Sequence, residues 1–209
     1  LAAAVLLSTT IKFEGRLILQ AQSDGELPLI MAECNSEREV RAIAHGAEHA
    51  NSDSFTQLLS GGRLAITIDP RKGQRYQGIV ALDGDTLADC LESYFKNSEQ
   101  LPTRLWLASD GTQASGLLLQ QLPAQVCPEE TLRQDNWEHL CALADTLAPE
   151  EQLEISDGEL LHRLFHEDPL RLFDEQKVRF ACSCSRERSA GALLSLGAQE
   201  LASLFGEQP

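Results

Sequence analysis

Two of the six cysteines stand one residue apart, in the stretch Phe180-Ala181-Cys182-Ser183-Cys184-Ser185-Arg186-Glu187-Arg188. Thiols at that spacing suit two kinds of chemistry. As thiolates they can hold half of a tetrahedral zinc site. As a dithiol they can cycle between thiol and disulfide. A helical pattern begins after Ser185, and Arg186 and Arg188 follow at once. A helix N-terminus and two guanidiniums are expected to favour the thiolate at Cys182 and Cys184. A disulfide within Cys-x-Cys closes a small, strained ring, which makes it easy to reduce again. Cys34, Cys90, Cys127 and Cys141 stand alone in the sequence and read as small core residues.

Few other residues offer themselves as partners. His162-x-x-x-His166 places two imidazoles on one helix face and would complete a Cys2His2 zinc set. On so acidic a helix the pair reads more readily as solvated. His45-x-x-x-His49 has the same spacing but falls in the strand-rich part of the chain. Asp83-Gly84-Asp85 resembles the start of a calcium loop, but Tyr94 stands where the last acidic ligand is needed, which excludes calcium. Phosphate-binding glycine loops, a nucleophile elbow and a His-Glu-x-x-His zinc motif are all missing from the sequence. The runner-up to a metal or redox switch is an enzyme, a thiol-disulfide oxidoreductase using Cys182 and Cys184. The missing Cys-x-x-Cys and the missing βαβ context speak against it.

The elements that must position the pair fall into two groups. Leu1 to Thr10 reads as the tail of a helix. Strand-like alternation follows from Phe13 to Ala21, then over Leu27 to Cys34, Glu39 to His45, Leu64 to Ile68 and Gln74 to Leu82. Asp85 is a plausible N-cap for a helix whose buried face is Leu87, Cys90, Leu91, Tyr94 and Phe95. Arg104 to Ala108 and Ala114 to Leu122 are further strands. Beyond Pro123 to Pro128 the character changes. Glu129 to Leu147 is helical, Pro149 interrupts it, and Ser156-Asp157-Gly158-Glu159 has the form of a capping box for the next helix. Short, acidic, proline-broken helices of this kind are expected to be the less stable part. Leu170 to Phe173 and Val178 to Ala181 read as short strands. The last pattern, Leu193, Leu194, Leu196, Leu201, Leu204 and Phe205, is helical.

Composition narrows the partners. Hydrophobic residues make up 43% of the 209, enough to bury a core. The formal net charge of -15 repels nucleic-acid phosphates and anionic lipid, so neither is an expected partner. Leu1 to Leu7 is far shorter than the ~20 residues needed to span a bilayer and has no basic stretch before it. A reducing cytoplasm is the expected location.

Three stretches taken together carry a resemblance. They are Arg75-Tyr76-Gln77-Gly78-Ile79-Val80, the run from Leu82 through Tyr94-Phe95 to Ser98-Glu99-Gln100-Leu101-Pro102-Thr103-Arg104, and Phe180 to Arg188. In that order they resemble the redox-regulated holdase chaperones, the bacterial 33-kilodalton heat-shock protein family. The resemblance implies an α+β fold: an N-terminal domain of packed, mainly antiparallel sheets with helices over 1–127, a helical linker over 128–177, and the start of a zinc domain over 178–209. It implies that reduced protein holds zinc through four thiolates and is inactive. Oxidation then forms two disulfides, releases zinc and unfolds the zinc domain and linker. Apolar surface is exposed and captures unfolding client proteins under heat and oxidative stress. The active form is a homodimer and uses no ATP, so no enzyme is implied. Cys182 and Cys184 are the matching ligands and redox residues. The family's other pair, a Cys-x-x-Cys, is expected beyond Pro209, and the family's first helices before Leu1. The 209 residues by themselves are therefore expected not to hold zinc with four thiolates.

Overall fold

The computed structural model describes residues 1–12, 14–126, 128–182 and 184–197, and of Arg188, Ser189 and Ala192 the backbone alone. The strand assignment of Phe13, the core assignment of Cys127, and the helical positions Leu201, Leu204 and Phe205 lie outside the described residues. The chain divides into two units, Leu1–Arg179 and Phe180–Pro209.

The first unit is built on an antiparallel sheet of β1 (Gly15–Gln22), β2 (Leu29–Asn35), β3 (Glu39–His45), β4 (Arg63–Pro70) and β5 (Tyr76–Ala81), in the order β5-β4-β1-β2-β3. A strand presents alternate residues to opposite faces. In β1 that alternation buries Leu17, Leu19 and Ala21. Register carries the same face across the sheet, with Leu17 opposite Cys34 and Ile68, and Leu19 opposite Ala32 and Ile66. Helices α1 (Ala2–Thr10) and α3 (Leu87–Tyr94) supply the rest of the core, including Ala4, Leu7, Cys90 and Leu91. A short helix, α2 (Phe55–Leu58), closes the connection between β3 and β4.

A second antiparallel pair, β6 (Thr103–Ser109) and β7 (Ala114–Gln120), lies beside α1 and α3. The approach of α1 is close: a Cβ on Gly116 would stand 2.6 Å from Leu6 Cδ1. Leu105, Leu107 and Leu118 join the core. By alternation Arg104, Trp106, Leu117 and Leu119 fall on the other face. The next three helices are α4 (Glu130–Ala144), α5 (Pro149–Glu154) and α6 (Asp157–Phe165). The second unit contains α7 (Arg186–Leu196).

Several expectations need correction. The N-cap of α3 is Thr86, not Asp85: its hydroxyl accepts from Asp89 N at 3.1 Å, and Asp89 Oδ2 accepts from Thr86 N at 2.9 Å. Both residues are good caps. The reciprocal reach of Asp89 decides between them. Replacing Thr86 by Ala should cost about 1 kcal/mol, read as a lowered urea midpoint; Asp85→Ala should leave the midpoint unchanged. Pro149 does not only interrupt a helix. It opens α5 at the first-turn position where its missing N–H costs nothing. At α6 half of the capping box forms: Ser156 Oγ accepts from Glu159 N at 3.3 Å, while the Glu159 carboxylate turns to Arg163 at 2.6 Å. Leu170 to Phe173 is not a strand. Leu172 and Phe173 are exposed, and strand pairing needs a neighbour this stretch lacks. Val178 to Ala181 shrinks to the two-residue strand β8 (Arg179–Phe180).

Candidate functional site

Cys182 and Cys184 are both exposed. Cys184 N donates to Cys182 Sγ at 3.4 Å, a contact that favours negative charge on the sulfur. Helix α7 begins two residues after Cys184, at Arg186. The other described thiols are Cys34, Cys90 and Cys141, all buried. Burial pushes the Cys90 and Cys141 thiols above their ordinary range. Cys34 is fully enclosed, where Ser8 Oγ donates to its sulfur at 3.3 Å. The three behave as the core residues their surroundings in sequence implied. In native protein an alkylating reagent should modify Cys182 and Cys184 quickly, and Cys34, Cys90 and Cys141 only after unfolding. Peptide mass mapping over time reads this. Equal rates at Cys90 and Cys182 would contradict it.

Among the described residues no group of three or more His, Cys, Asp and Glu side chains is placed to hold a metal. The rings of His162 and His166 stand 5.7 Å apart between centroids, tilted by 59°. Both belong to the first unit, where the pair forms no such group with its described neighbours. His45 and His49 form none either.

A stretch sequence reasoning could not place is the outer face of the β6–β7 hairpin. Helix α5 packs on both strands, and α4 packs on α6. Trp137 and Leu140 of α4 share one cavity wall with Leu119. The joints between helices and hairpin are mostly polar. Buried Gln152 donates to Trp106 O at 3.0 Å, and Gln113 donates to Leu153 O at 3.0 Å. Arg104 Nη2 reaches Asp145 Oδ1 at 2.8 Å, and its Nε lies 3.1 Å from Glu92 Oε2. Glu92 in turn accepts from Leu105 N at 2.7 Å, and burial holds its carboxyl above the ordinary range in spite of both donors. The helices bury Cys141, Ala144, Leu147, Leu160 and Phe165, none of which belongs to the main core cluster. Polar joints and buried side chains outside the main core cluster thus hold these helices on the first unit.

The matches with known proteins fit this architecture. A family model described as Hsp33 protein matches residues 1–209. The chain belongs to the Hsp33 family. This Hsp33-family chain is 56% identical over 210 residues to the "33 kDa chaperonin" of Ectopseudomonas mendocina, covering 100% of the chain and 71% of that relative. The relatives from Azotobacter vinelandii and Pseudomonas aeruginosa, named likewise, are 55% and 54% identical with the same coverage. The crystal structure of the 33 kDa chaperonin (heat shock protein 33 homolog) of Thermotoga maritima matches with a TM-score of 0.77 at 22% identity. It covers 99% of this chain and 73% of that one, so the α+β fold is shared. Chaperone function, with unfolded proteins as partners, follows from membership of the Hsp33 family. No described helix is long and apolar enough to cross a membrane.

Proposed function

We propose that this chain is an ATP-independent, redox-regulated holdase in which Cys182 and Cys184 are the switch and α4 to α6 are the cover it controls. The observation that carries the reading is the sorting of thiols. Of the five described cysteines, three are buried and the two of the Cys-x-Cys pair are exposed. An oxidant reaches this pair first. With a peroxide, two thiols give one disulfide, and the two electrons and two protons lost reduce the peroxide to two waters.

In the reduced state the pair would supply two of the four ligands of a thiolate zinc site. Bound zinc holds ligand thiolates in a folded arrangement, and in zinc-finger peptides it contributes on the order of 10 kcal/mol to folding. Oxidation removes both ligands at once and with them that stabilisation. Among the described residues of α7, Leu193, Leu194 and Leu196 are exposed. The cover, fastened by polar joints, then leaves the Trp106, Leu117 and Leu119 face free to hold apolar segments of unfolding proteins as a homodimer. The acidic charge of -15 keeps such an open form soluble.

The test is light scattering of a heat-denatured client without ATP. In protein that carries all four zinc ligands, peroxide treatment should switch on a suppression of aggregation that the reduced form lacks, and the double variant Cys182→Ser, Cys184→Ser, which has lost two of those ligands, should suppress in both states. A chromophoric chelator present during peroxide treatment should report zinc release from protein that carries all four ligands. A folded double variant that stays silent in both states, as the reduced protein does, would sink the assignment of the switch.

A further inference from the structure

Three oxygen atoms meet where β5 faces the end of α3. The Tyr94 hydroxyl is 2.6 Å from Glu99 Oε1, the Tyr76 hydroxyl is 2.7 Å from the same atom, and the two hydroxyls are 2.9 Å apart. Each phenol has one proton and an ionised carboxylate has none. Three contacts therefore share two hydrogens. If both hydroxyls donate to Glu99, lone pairs face each other between Tyr76 and Tyr94. If one phenol donates to the other, its contact with Glu99 is left without a hydrogen. One edge of the triangle always lacks a donor, and the cluster carries a negative charge. Burial, with Glu99 beside it, pushes the Tyr94 phenol well above its ordinary range.

The backbone is shaped to make this arrangement. A Cβ on residue 78 would stand 2.1 Å from the Tyr94 hydroxyl and 2.7 Å from Tyr94 Cζ, so only glycine lets that ring lie over β5. Helix α3 passes directly into a π-helical turn, Phe95–Glu99, closed by Gln100 in the left-handed region at φ 53°. The wider turn is what returns Glu99 to Tyr94; such turns concentrate at functional sites. Tyr76 and Gly78 come from the first stretch that carried the family resemblance, and Tyr94, Phe95 and Glu99 from the second. Neither the thiol switch nor the covered hairpin face uses any of them.

The triangle lines a cavity of about 360 Å³. The rest of its wall is largely apolar, formed by Leu7, Leu17, Ile66, Ile68, Phe95 and Leu101. We propose that this cavity binds a primary alkylammonium group, with the ammonium on the Glu99, Tyr76 and Tyr94 oxygens and the alkyl chain against Leu17, Ile66 and Ile68. An ammonium has three N–H donors and no acceptor. It supplies the hydrogen that the triangle lacks and the charge that balances it. A fatty carboxylate would meet Glu99 with like charge, and an alcohol brings one donor and no charge. A bare metal ion would leave the apolar wall unfilled. The volume lies at the small end for ligand cavities, which fits a short aliphatic chain on the scale of a lysine side chain. The ligand is either a free aliphatic amine or a lysine of an extended polypeptide, and the experiment separates them.

The 209-residue chain is titrated calorimetrically with n-hexylammonium chloride, hexanol, hexanoate and Nα-acetyl-lysine methylamide. Hexylammonium should bind one to one and at least tenfold more tightly than hexanol or hexanoate. Glu99→Gln should lose at least tenfold in hexylammonium affinity and keep its affinity for hexanol; Ile68→Phe, which fills the cavity, should bind neither. Circular dichroism reports whether Glu99→Gln remains folded. If it does not, Tyr76→Phe decides, with an expected loss of several-fold for hexylammonium alone. Binding of the lysine derivative with the same Glu99 dependence assigns the site to polypeptide lysines, and its failure beside a bound hexylammonium assigns it to free amines. Equal affinity for the three hexyl compounds, no binding of hexylammonium, or indifference to both substitutions would overturn the proposal.

Discussion

Ala144→Asp should switch the chaperone on without oxidant. Ala144 is fully buried, in the small cluster that α4 and α6 share with Cys141, Leu147, Leu160 and Phe165. A carboxylate placed there has no partner and loses its hydration, at a cost of several kcal/mol in a protein interior. Native domains are stable by only about 5–15 kcal/mol, and segments outside the main core by less. The penalty falls on the cover, because none of these residues belongs to the core cluster of the sheet. Polar joints such as Gln152 to Trp106 O and Arg104 to Asp145 can exchange for water with little net loss. The reduced variant should therefore suppress client light scattering as strongly as oxidised wild type. Limited proteolysis should cut between residues 130 and 165, while the β1 to β5 amides keep their exchange protection. The control is Leu132→Asp, at a position 48% exposed on α4, which should leave reduced protein silent. An Ala144→Asp protein that is folded, open to protease and still silent would refute the hairpin face as the client surface.

The second large effect is on the sheet domain itself. Leu91 is fully buried at the centre of α3 and packs into the cluster that α1 and β1 complete. Truncation to Ala removes its burial and leaves a cavity among side chains that cannot close over it, which costs about 2–5 kcal/mol for a leucine in such a place. With a urea slope of roughly 1–3 kcal/mol per molar, the midpoint should fall by about 0.7 M or more. The expected outcome differs in kind from that of Ala144→Asp. Leu91→Ala lowers the cooperative unfolding of the core, while Ala144→Asp opens the cover and spares it. A loss of stability below about 0.5 kcal/mol, within the range of ordinary surface changes, would show that α3 is not part of the folding unit.

Some of this was legible in the residues. The face Leu87, Cys90, Leu91, Tyr94 and Phe95 follows the helical period and is the face that α3 buries or half-buries. Leu17, Leu19 and Ala21 follow the strand period and form the inner face of β1. Both patterns are local consequences of backbone geometry, so a sequence displays them. Leu170 to Phe173 displays an equally apolar run and yet forms no strand, because a strand is completed by a neighbour and not by its own pattern. Thr86 and Asp85 are equivalent by type. Only the position of the Asp89 carboxylate separates them.

The same division runs through function. Cys182 and Cys184 announce their chemistry by themselves, because two thiols one residue apart can share a ligand or a disulfide whatever the rest of the chain does. That spacing, the family's signature stretches and the acidic charge were determined by sequence alone. The tertiary structure decided which thiols an oxidant can reach, since burial of Cys34, Cys90 and Cys141 depends on elements far along the chain. It decided that α5 packs on β6 and β7 and that α6 packs on α4, contacts whose partners no periodicity names. It also brought Tyr76 within 2.7 Å of Glu99, 23 residues away. Such meetings rest on strand register, a glycine that clears the way and one widened helical turn, and these act together only once the chain has folded.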